Sequence, residues 1–262
     1  MYYPIQIPSI LDKAFIEKIE YKENRYSQLE NYIMCIWTMK SKEYLLKPVN
    51  NIILPDGCID LIVDFTSKEI YFSGTSKATL DFPLSGKIDF IGIRIKPGVF
   101  YSVFKISCMK VMDTSIPYAQ LETEYNLDPI FKLASTQNRI DFLKDYFITK
   151  VSTIEYDDFI RKINTIAQQE ETKFVTELAK TFGYSTRQLN RIFKERCGVS
   201  VKVFLNILRL HYSLNLLLTD NPSKLIELAQ ASGFYDESHF IKEIKKYCKI
   251  SPTDILKRYN MS

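Results

Sequence analysis

The chain has 262 residues, 46% of them hydrophobic and 25% charged, with a net charge of +4. That length allows two domains of ordinary size, each with its own core, and the composition is that of a soluble globular protein. No stretch reaches the roughly 18 consecutive apolar residues of a membrane span, and the start Met1-Tyr2-Tyr3-Pro4-Ile5 lacks the basic and apolar regions of a secretory signal. Five scattered cysteines without a Cys-x-x-Cys pair fit reduced thiols in a cytoplasm better than a disulfide framework or a zinc site. We therefore expect a cytoplasmic protein with no membrane segment, no bound metal and no cofactor. The charge is uneven: residues 156–262 carry 17 Lys and Arg against 12 Asp and Glu, and the remainder carries 18 against 19. A modest positive excess permits binding to phosphates without proving it.

The first 115 residues or so read as β-rich. Ile52-Ile53-Leu54 and the run from Ile59 to Phe65 flank Pro55-Asp56-Gly57, a turn signal in which proline sets φ and glycine tolerates positive φ. Residues 69–72 and 88–95 are further strands, the latter alternating Ile91, Ile93 and Ile95 against Gly92 and Arg94. Short strands without crossover helices suggest a small antiparallel barrel or sandwich. Beyond Leu127 the spacing turns helical: Ile130, Leu133, Ala134, Ile140, Leu143, Phe147 and Ile148 recur at steps of three and four. Such helices either cover the open face of the β-domain or pair with another subunit. The expected class is α+β, with a β-rich sensor or dimerisation domain over 1–154 and an all-α domain over 155–262 that begins with Phe159, Ile163 and Ile166.

The all-α part repeats itself. Leu178-Ala179-x-x-x-Gly183-Tyr184 returns about fifty residues later as Leu228-Ala229-x-x-x-Gly233-Phe234. After one extra residue the register continues, with Leu189 matching Phe240, Arg191 matching Lys242, Phe193 matching Ile244, Lys194 matching Lys245 and Cys197 matching Cys248. Each copy reads as a helix-turn-helix. In the first, residues 175–182 form a helix, Gly183 leaves it in a left-handed conformation, and Ser185 with Gln188 forms a capping box for a second helix over 186–196. Leu189, Ile192, Phe193 and Cys197 make its inner stripe; Arg187, Asn190, Arg191 and Lys194 lie opposite. In the second, a helix over 224–232 leads to a recognition helix over 237–247 capped by Asp236, with Ser238, Lys242 and Lys245 outward and His239, Ile241 and Lys246 at the margins. Residues 204–219 read as one connecting helix ended by Asp220-Asn221-Pro222, some 20 Å long at about 1.5 Å per residue. A basic helix face is usually only a solvated face, but matched apolar, glycine and basic positions in two copies argue for two recognition helices in successive major grooves.

These residues resemble the AraC/XylS family of transcription regulators. The similarity covers roughly residues 159–259 and rests on Leu178-Ala179, Gly183-Tyr184-Ser185, Leu189-x-Arg191-x-Phe193-Lys194, Gly198-Val199-Ser200, Leu208-Arg209-Leu210, Leu228-Ala229, Gly233-Phe234 and Ser251-Pro252. The resemblance implies a bacterial regulator with seven helices in this part, double-stranded promoter DNA and RNA polymerase as partners, and activation more often than repression. By position, its base-contacting residues fall on Arg187, Asn190 and Arg191, and on Ser238, His239 and Lys242. The wider set of expected DNA contacts adds Ser185, Thr186, Gln188, Lys194, Asp236, Glu237, Lys245 and Lys246. The chain departs from the family where Ile244-Lys245-Lys246 replaces a Phe with a basic pair, and where Lys249 replaces a common Gly. The N-terminal half is similar to an effector domain of some members through residues 54–61, Ser73-Gly74 and 91–98; this leaves a small-molecule effector and a homodimer as candidate partners. Arg94 either meets an acidic effector or pairs with Asp60 or Asp64, the pairing being the commoner use of an inward arginine.

Two alternatives remain from the residues. Some DNA-alkylation repair proteins join such a domain to a nucleophilic cysteine, for which Cys58 after its turn is the candidate, although His211 and His239 both lie in the helical part. The other is an adaptor whose helical domain binds protein. His211 itself reads as a packing or surface residue.

Overall fold

The computed structural model describes residues 4, 6, 12–122, 124–152, 154, 157–168, 174–219 and 225–259. The β-rich part opens with a short helix, α1 (Lys13–Lys18), and runs through β1 (Ile19–Asn24), β2 (Ile33–Ser41), β3 (Leu45–Val49), β4 (Ile52–Ile53), β5 (Ile59–Asp64), β6 (Glu69–Ser73), β7 (Leu80–Asp81), β8 (Leu84–Gly86) and β9 (Asp89–Ile95). After α2 (Val99–Phe104) come β10 (Ser115–Pro117), α3 (Tyr118–Leu121) and α4 (Thr136–Ser152). Six strands form one antiparallel sheet in the order β1-β2-β9-β5-β6-β10, while β3 pairs with β8 and β4 with β7 as separate ribbons.

Period-two alternation divides the sheet into two faces. Ile59, Leu61 and Val63 of β5 and Ile91, Ile93 and Ile95 of β9 enter an apolar core with α2 and α4. The opposite face carries Asp60, Ile62 and Asp64 with Phe90 and Arg94, and looks into a cavity. The central strand β2 is buried on both sides: Ile36 joins the helix-covered core, and Cys35, Trp37 and Met39 join a second core with Phe15, Leu45 and Leu84. Of the two roles open to the helices after Leu127, the structure shows the covering one, since Ile140, Leu143, Tyr146 and Phe147 of α4 are buried in the sheet's core. Gly74 is required by close approach, because a Cβ there would lie 1.5 Å from the Val111 carbonyl oxygen.

Pro55-Asp56-Gly57 does turn the chain: Asp56 Oδ1 accepts a hydrogen bond from Cys58 N at 2.9 Å, and Gly57 has φ +73°. It does not join a hairpin, however. β4 pairs with β7 and β5 with β6 and β9, so the turn carries the chain from a ribbon into the main sheet.

The helical part comprises α5 (Asp158–Gln168), α6 (Val175–Phe182), α7 (Thr186–Cys197), α8 (Val201–Thr219), α9 (Leu225–Ala231), α10 (Glu237–Cys248) and α11 (Pro252–Tyr259), seven helices among the described residues. Phe159 and Ile163 of α5 pack with Leu178, Phe182, Leu189, Phe193 and Phe204 into one core; Leu210, Leu214, Leu217, Leu228, Phe240, Ile244 and Ile255 form another. The connector α8 starts at Val201 instead of Phe204, because the Ser200 hydroxyl accepts from Val203 N and Asn190 Oδ1 accepts from Val201 N. By length and a mean hydropathy of 1.2 over 18 residues α8 is apolar enough to cross a membrane, yet Val201, Phe204, Ile207, Leu210, Leu214 and Leu217 are buried in protein cores. Several positions of the sequence reading fall outside the described residues: Thr153, Glu155 and Tyr156 at the expected domain boundary, Asp220-Asn221-Pro222 after the connector, and Lys224 before α9.

The two parts share an interface. The Arg196 guanidinium bonds the Asp157 carboxylate and the Ser102 hydroxyl, and lies 4.4 Å above the Phe159 ring. The Thr79 hydroxyl donates to Tyr247 O at 2.7 Å, and Leu54, 1% exposed, inserts into the core built from α8 to α11.

Lys249 ends α10 at φ +65°, a left-handed conformation that favours glycine. A side chain there is strained by about 1 kcal/mol. Lys249→Gly is therefore expected to raise stability by about 0.5–1 kcal/mol, read as a higher denaturant midpoint at unchanged slope. An unchanged or lower midpoint would contradict the strain.

Candidate nucleic-acid interface

In the first unit α6 ends at Gly183 with φ +71°, and the Ser185 hydroxyl accepts from Gln188 N at 3.3 Å while Gln188 Oε1 accepts from Ser185 N at 3.0 Å. This reciprocal cap fixes where α7 begins, and it also occupies both side chains. Burial of Leu189, Phe193 and Cys197 then sets the rotation of α7 and leaves Thr186, Arg187, Arg191 and Lys194 exposed together. Arg191 lies 3.9 Å from Glu195 one turn on, a loose contact with the arginine 74% exposed.

Asn190 is placed differently from its expected role as a base reader. Its Nδ2 donates to Thr186 O at 3.0 Å and its Oδ1 accepts from Val201 N at 3.3 Å. Both halves of the amide are engaged within the domain, tying α7 to the start of α8, so a bidentate contact to adenine would require breaking both bonds.

In the second unit Asp236 Oδ1 accepts from His239 N at 2.7 Å, and burial of Phe240, Ile244, Tyr247 and Cys248 orients α10. Ser238, His239, Lys242, Lys245 and Lys246 are exposed; Asp236 and Glu237 are half-buried at the helix start. Lys246 is shared with Glu243 at 3.3 Å and lies 4.8 Å from the Tyr247 ring centre. Lys242 and Lys245 thus carry the outward charge of α10 with the fewest competing contacts.

Three features lie outside the residues expected to contact DNA. Tyr235, the residue by which the second turn is longer, is 91% exposed beside the N-terminus of α10, and Tyr184, in the turn of the first unit, is 43% exposed where its counterpart Phe234 is buried. Lys202 and Arg209 of α8 join His239 and Lys246 around a cleft of about 290 Å³, with Glu243 its acidic wall residue and the Arg209 guanidinium 5.5 Å from the Phe234 ring centre. Aromatic residues beside recognition helices suit contact with sugars and phosphates, and a basic cleft suits a phosphate backbone. The extra residue in the repeat was the only sequence signal for Tyr235.

Within the β-rich part, Arg94 and Asp60 meet at 3.4 Å, and Asp56 and Glu23 approach the same guanidinium at 3.5 and 3.3 Å. Asp64 turns away and accepts from Thr66 N and Ser67 N. Burial, reinforced by Asp56, raises the Asp60 carboxyl to about 6 against the opposing pull of Arg94 and a hydrogen bond from Trp37 Nε1. Cys58 is 3% exposed, and burial with neighbouring Asp56 pushes its thiol well above the usual range. A thiolate nucleophile is not available there. His211 is fully buried in α8; burial lowers its pKa, and its Nε2 donates to Pro55 O at 2.8 Å, so of the packing and surface roles expected it takes the packing one.

Two tandem helix-turn-helix units with outward basic faces define the class of protein. Residues 178–258 match the family model described as a helix-turn-helix domain, and residues 26–117 match a domain of unknown function (DUF6597). Over 108 residues the chain is 33% identical to the transcriptional regulatory protein HptR of Staphylococcus aureus and 34% identical to a response regulatory protein of Staphylococcus epidermidis, covering 40% of this chain in each case. The chain spans 42% of the length of those relatives. Among solved structures, an AraC-type DNA-binding-domain regulator from Chromobacterium violaceum aligns at 26% identity and TM-score 0.34, over 37% of this chain and 88% of that one. ToxT from Vibrio cholerae aligns at 14% identity and TM-score 0.40, over 92% and 98%. Residues 178–258 thus carry a helix-turn-helix domain, with an antiparallel β-domain ahead of it in the chain.

The position of Asn190 has a measurable consequence. Asn190→Ala is expected to cost about 1 kcal/mol of stability through loss of the bond to Val201 N, while leaving the ratio of affinities for different DNA sequences unchanged. A stable variant with altered base preference would return Asn190 to the reading surface.

Proposed function

We propose that this chain is a sequence-specific transcription regulator that binds double-stranded promoter DNA with α7 and α10 in adjacent major grooves. The supporting observation is the pair of matched helices whose inner stripes are buried and whose Arg187, Arg191 and Lys194, and Lys242, Lys245 and Lys246, face solvent. In this reading Arg187 and Arg191 supply base contacts, since a guanidinium can bond guanine at two acceptors. Thr186, Ser238 and His239 add polar contacts, the lysines neutralise phosphates, and the capped N-termini at Ser185 and Asp236 set the register of both helices. Gln188 and Glu237 act on the interface through those caps and first turns. The site works in the cytoplasm beside RNA polymerase, with activation as its output by family analogy.

The β-rich domain is the controlling element in this proposal. Its cavity of about 850 Å³ has Arg94 and Asp60 in its wall and falls within the size range of small-molecule sites. A ligand there, alone or with formation of a homodimer, would alter how the helical part meets DNA.

Binding should weaken steeply with salt, log affinity falling with log salt in proportion to the phosphates engaged. Arg187→Ala should cost about 1–3 kcal/mol on a cognate site and relax its sequence preference, whereas Lys194→Ala should weaken cognate and random DNA alike and flatten the salt slope by about one phosphate. Equal losses from Arg187→Ala on both DNAs would remove its reading role, and salt-independent binding would favour the protein-adaptor alternative.

A further inference from the structure

The cavity in the β-rich domain carries a chemical preference. Among the described lining residues Asp56, Asp60, Asp64, Glu69 and Asp81 are acidic, and Arg94 is the basic one. Arg94 is already committed, with Asp56, Asp60 and Glu23 all within 3.5 Å of it. An entering anion would find that guanidinium enclosed by three carboxylates. A cation would meet an excess of negative charge instead.

The walls supply the other half of the match. Phe15, Tyr21, Trp37, Tyr71, Phe82 and Phe90 line the space. Trp37 and Tyr21 lie 6.2 Å apart at 33°, and Trp37 Nε1 donates to Asp60 at 2.7 Å, which holds the indole in place beside the carboxylate. Aromatic faces next to carboxylates attract cations by charge and by the ring quadrupole, and their apolar area favours an apolar body on the ligand. Gly92 permits the arrangement, since a Cβ at that position would come within 2.3 Å of the Trp37 ring.

The cavity also touches the connector helix through one segment, residues 54–57. Asp56 faces the cavity and Arg94, while Leu54 is seated in the core of the second helix-turn-helix unit. Between them the Pro55 carbonyl accepts from His211 Nε2, and a Cβ at Gly57 would lie 3.5 Å from the Phe204 ring. A ligand that draws Asp56 away from Arg94 therefore pulls on the turn that clasps α8.

We infer that this cavity binds a hydrophobic organic cation, its charged centre against Asp56 and Asp60 and its apolar body among the aromatic walls, and that the 54–57 turn transmits occupancy to α8. The inference rests on the proposed reading of the cavity as a ligand site.

Trp37 is the single tryptophan of the chain, so its fluorescence reports on this cavity alone. Tetraphenylphosphonium and tetraphenylborate have nearly the same shape and opposite charge, which isolates the sign of the preference. Titrated into the full chain, the phosphonium should change Trp37 fluorescence saturably and bind at least tenfold more tightly than the borate. Asp56→Asn, which keeps an acceptor for Cys58 N, should weaken the phosphonium at least fivefold and narrow the gap between the ions. In the unmodified chain the phosphonium should also change affinity for DNA, and in His211→Leu it should still bind while that change is lost. Borate binding as tight as the phosphonium, no saturable response to either ion, or indifference to Asp56→Asn would each overturn the ligand assignment; the comparison of the two ions on the unmodified chain does not depend on any variant folding. A DNA affinity that ignores a bound phosphonium would overturn the transmission. DNA binding measured without either ion tests the regulator reading by itself. Binding to DNA with a silent Trp37 rejects the cavity inference alone, and a cation-selective Trp37 without DNA binding rejects the regulator alone.

Discussion

One helix holds the architecture together. The nineteen residues of α8 are buried on several sides, with Phe204 in the first helix-turn-helix core, Leu210, Leu214 and Leu217 in the second, and His211 against the turn that leaves the β-ribbon. Nineteen residues of helix extend about 28 Å as a single stiff rod. Because each core contributes packing to the same rod, neither unit can rotate about it without opening a cavity. Cavities of that kind cost several kcal/mol when large side chains are involved. The orientation of the two basic faces is thus a property of packed side chains, independent of any loop between them.

The helical part was legible in the sequence for a physical reason. Helix periodicity, capping residues and left-handed glycines are local, and Ser185, Gln188, Gly183, Asp236 and Gly233 each perform in the structure the capping or chain-reversing task that their residue type suggests. The β-rich part was less transparent. β2 is buried on both faces, so Ile33 to Trp37 show no alternation and carry no period-two strand signal. β4 has only two residues and takes a partner about thirty positions away, which no local pattern reveals. The turn at 55–57 was recognisable, but which strands it joined depended on contacts far along the chain.

The recognition surfaces show a different limit. Helical spacing places Arg187, Asn190, Arg191 and Lys194 on one side, and the structure agrees about that side. Spacing says nothing of what each side chain bonds to, and Asn190 turns out to be a tether between helices. Likewise Arg94 reads as one charge on an alternating strand, whereas its three carboxylate neighbours come from β1, β5 and the 55–57 turn. Residue type and period locate a face; its chemistry is settled by tertiary partners.

Leu54 gives the interface a thermodynamic meaning. It is a residue of the β-rich part completing the interior of the second helix-turn-helix unit. Removing everything ahead of the helices would leave a leucine-shaped socket open to water and the Pro55 partner of His211 missing. Excised alone, the helical half would lack part of its own interior, and melting of either half would loosen the other. Cooperativity between the halves is therefore a consequence of an interior they share through Leu54, alongside the Ser102–Arg196, Thr79–Tyr247 and Pro55–His211 hydrogen bonds.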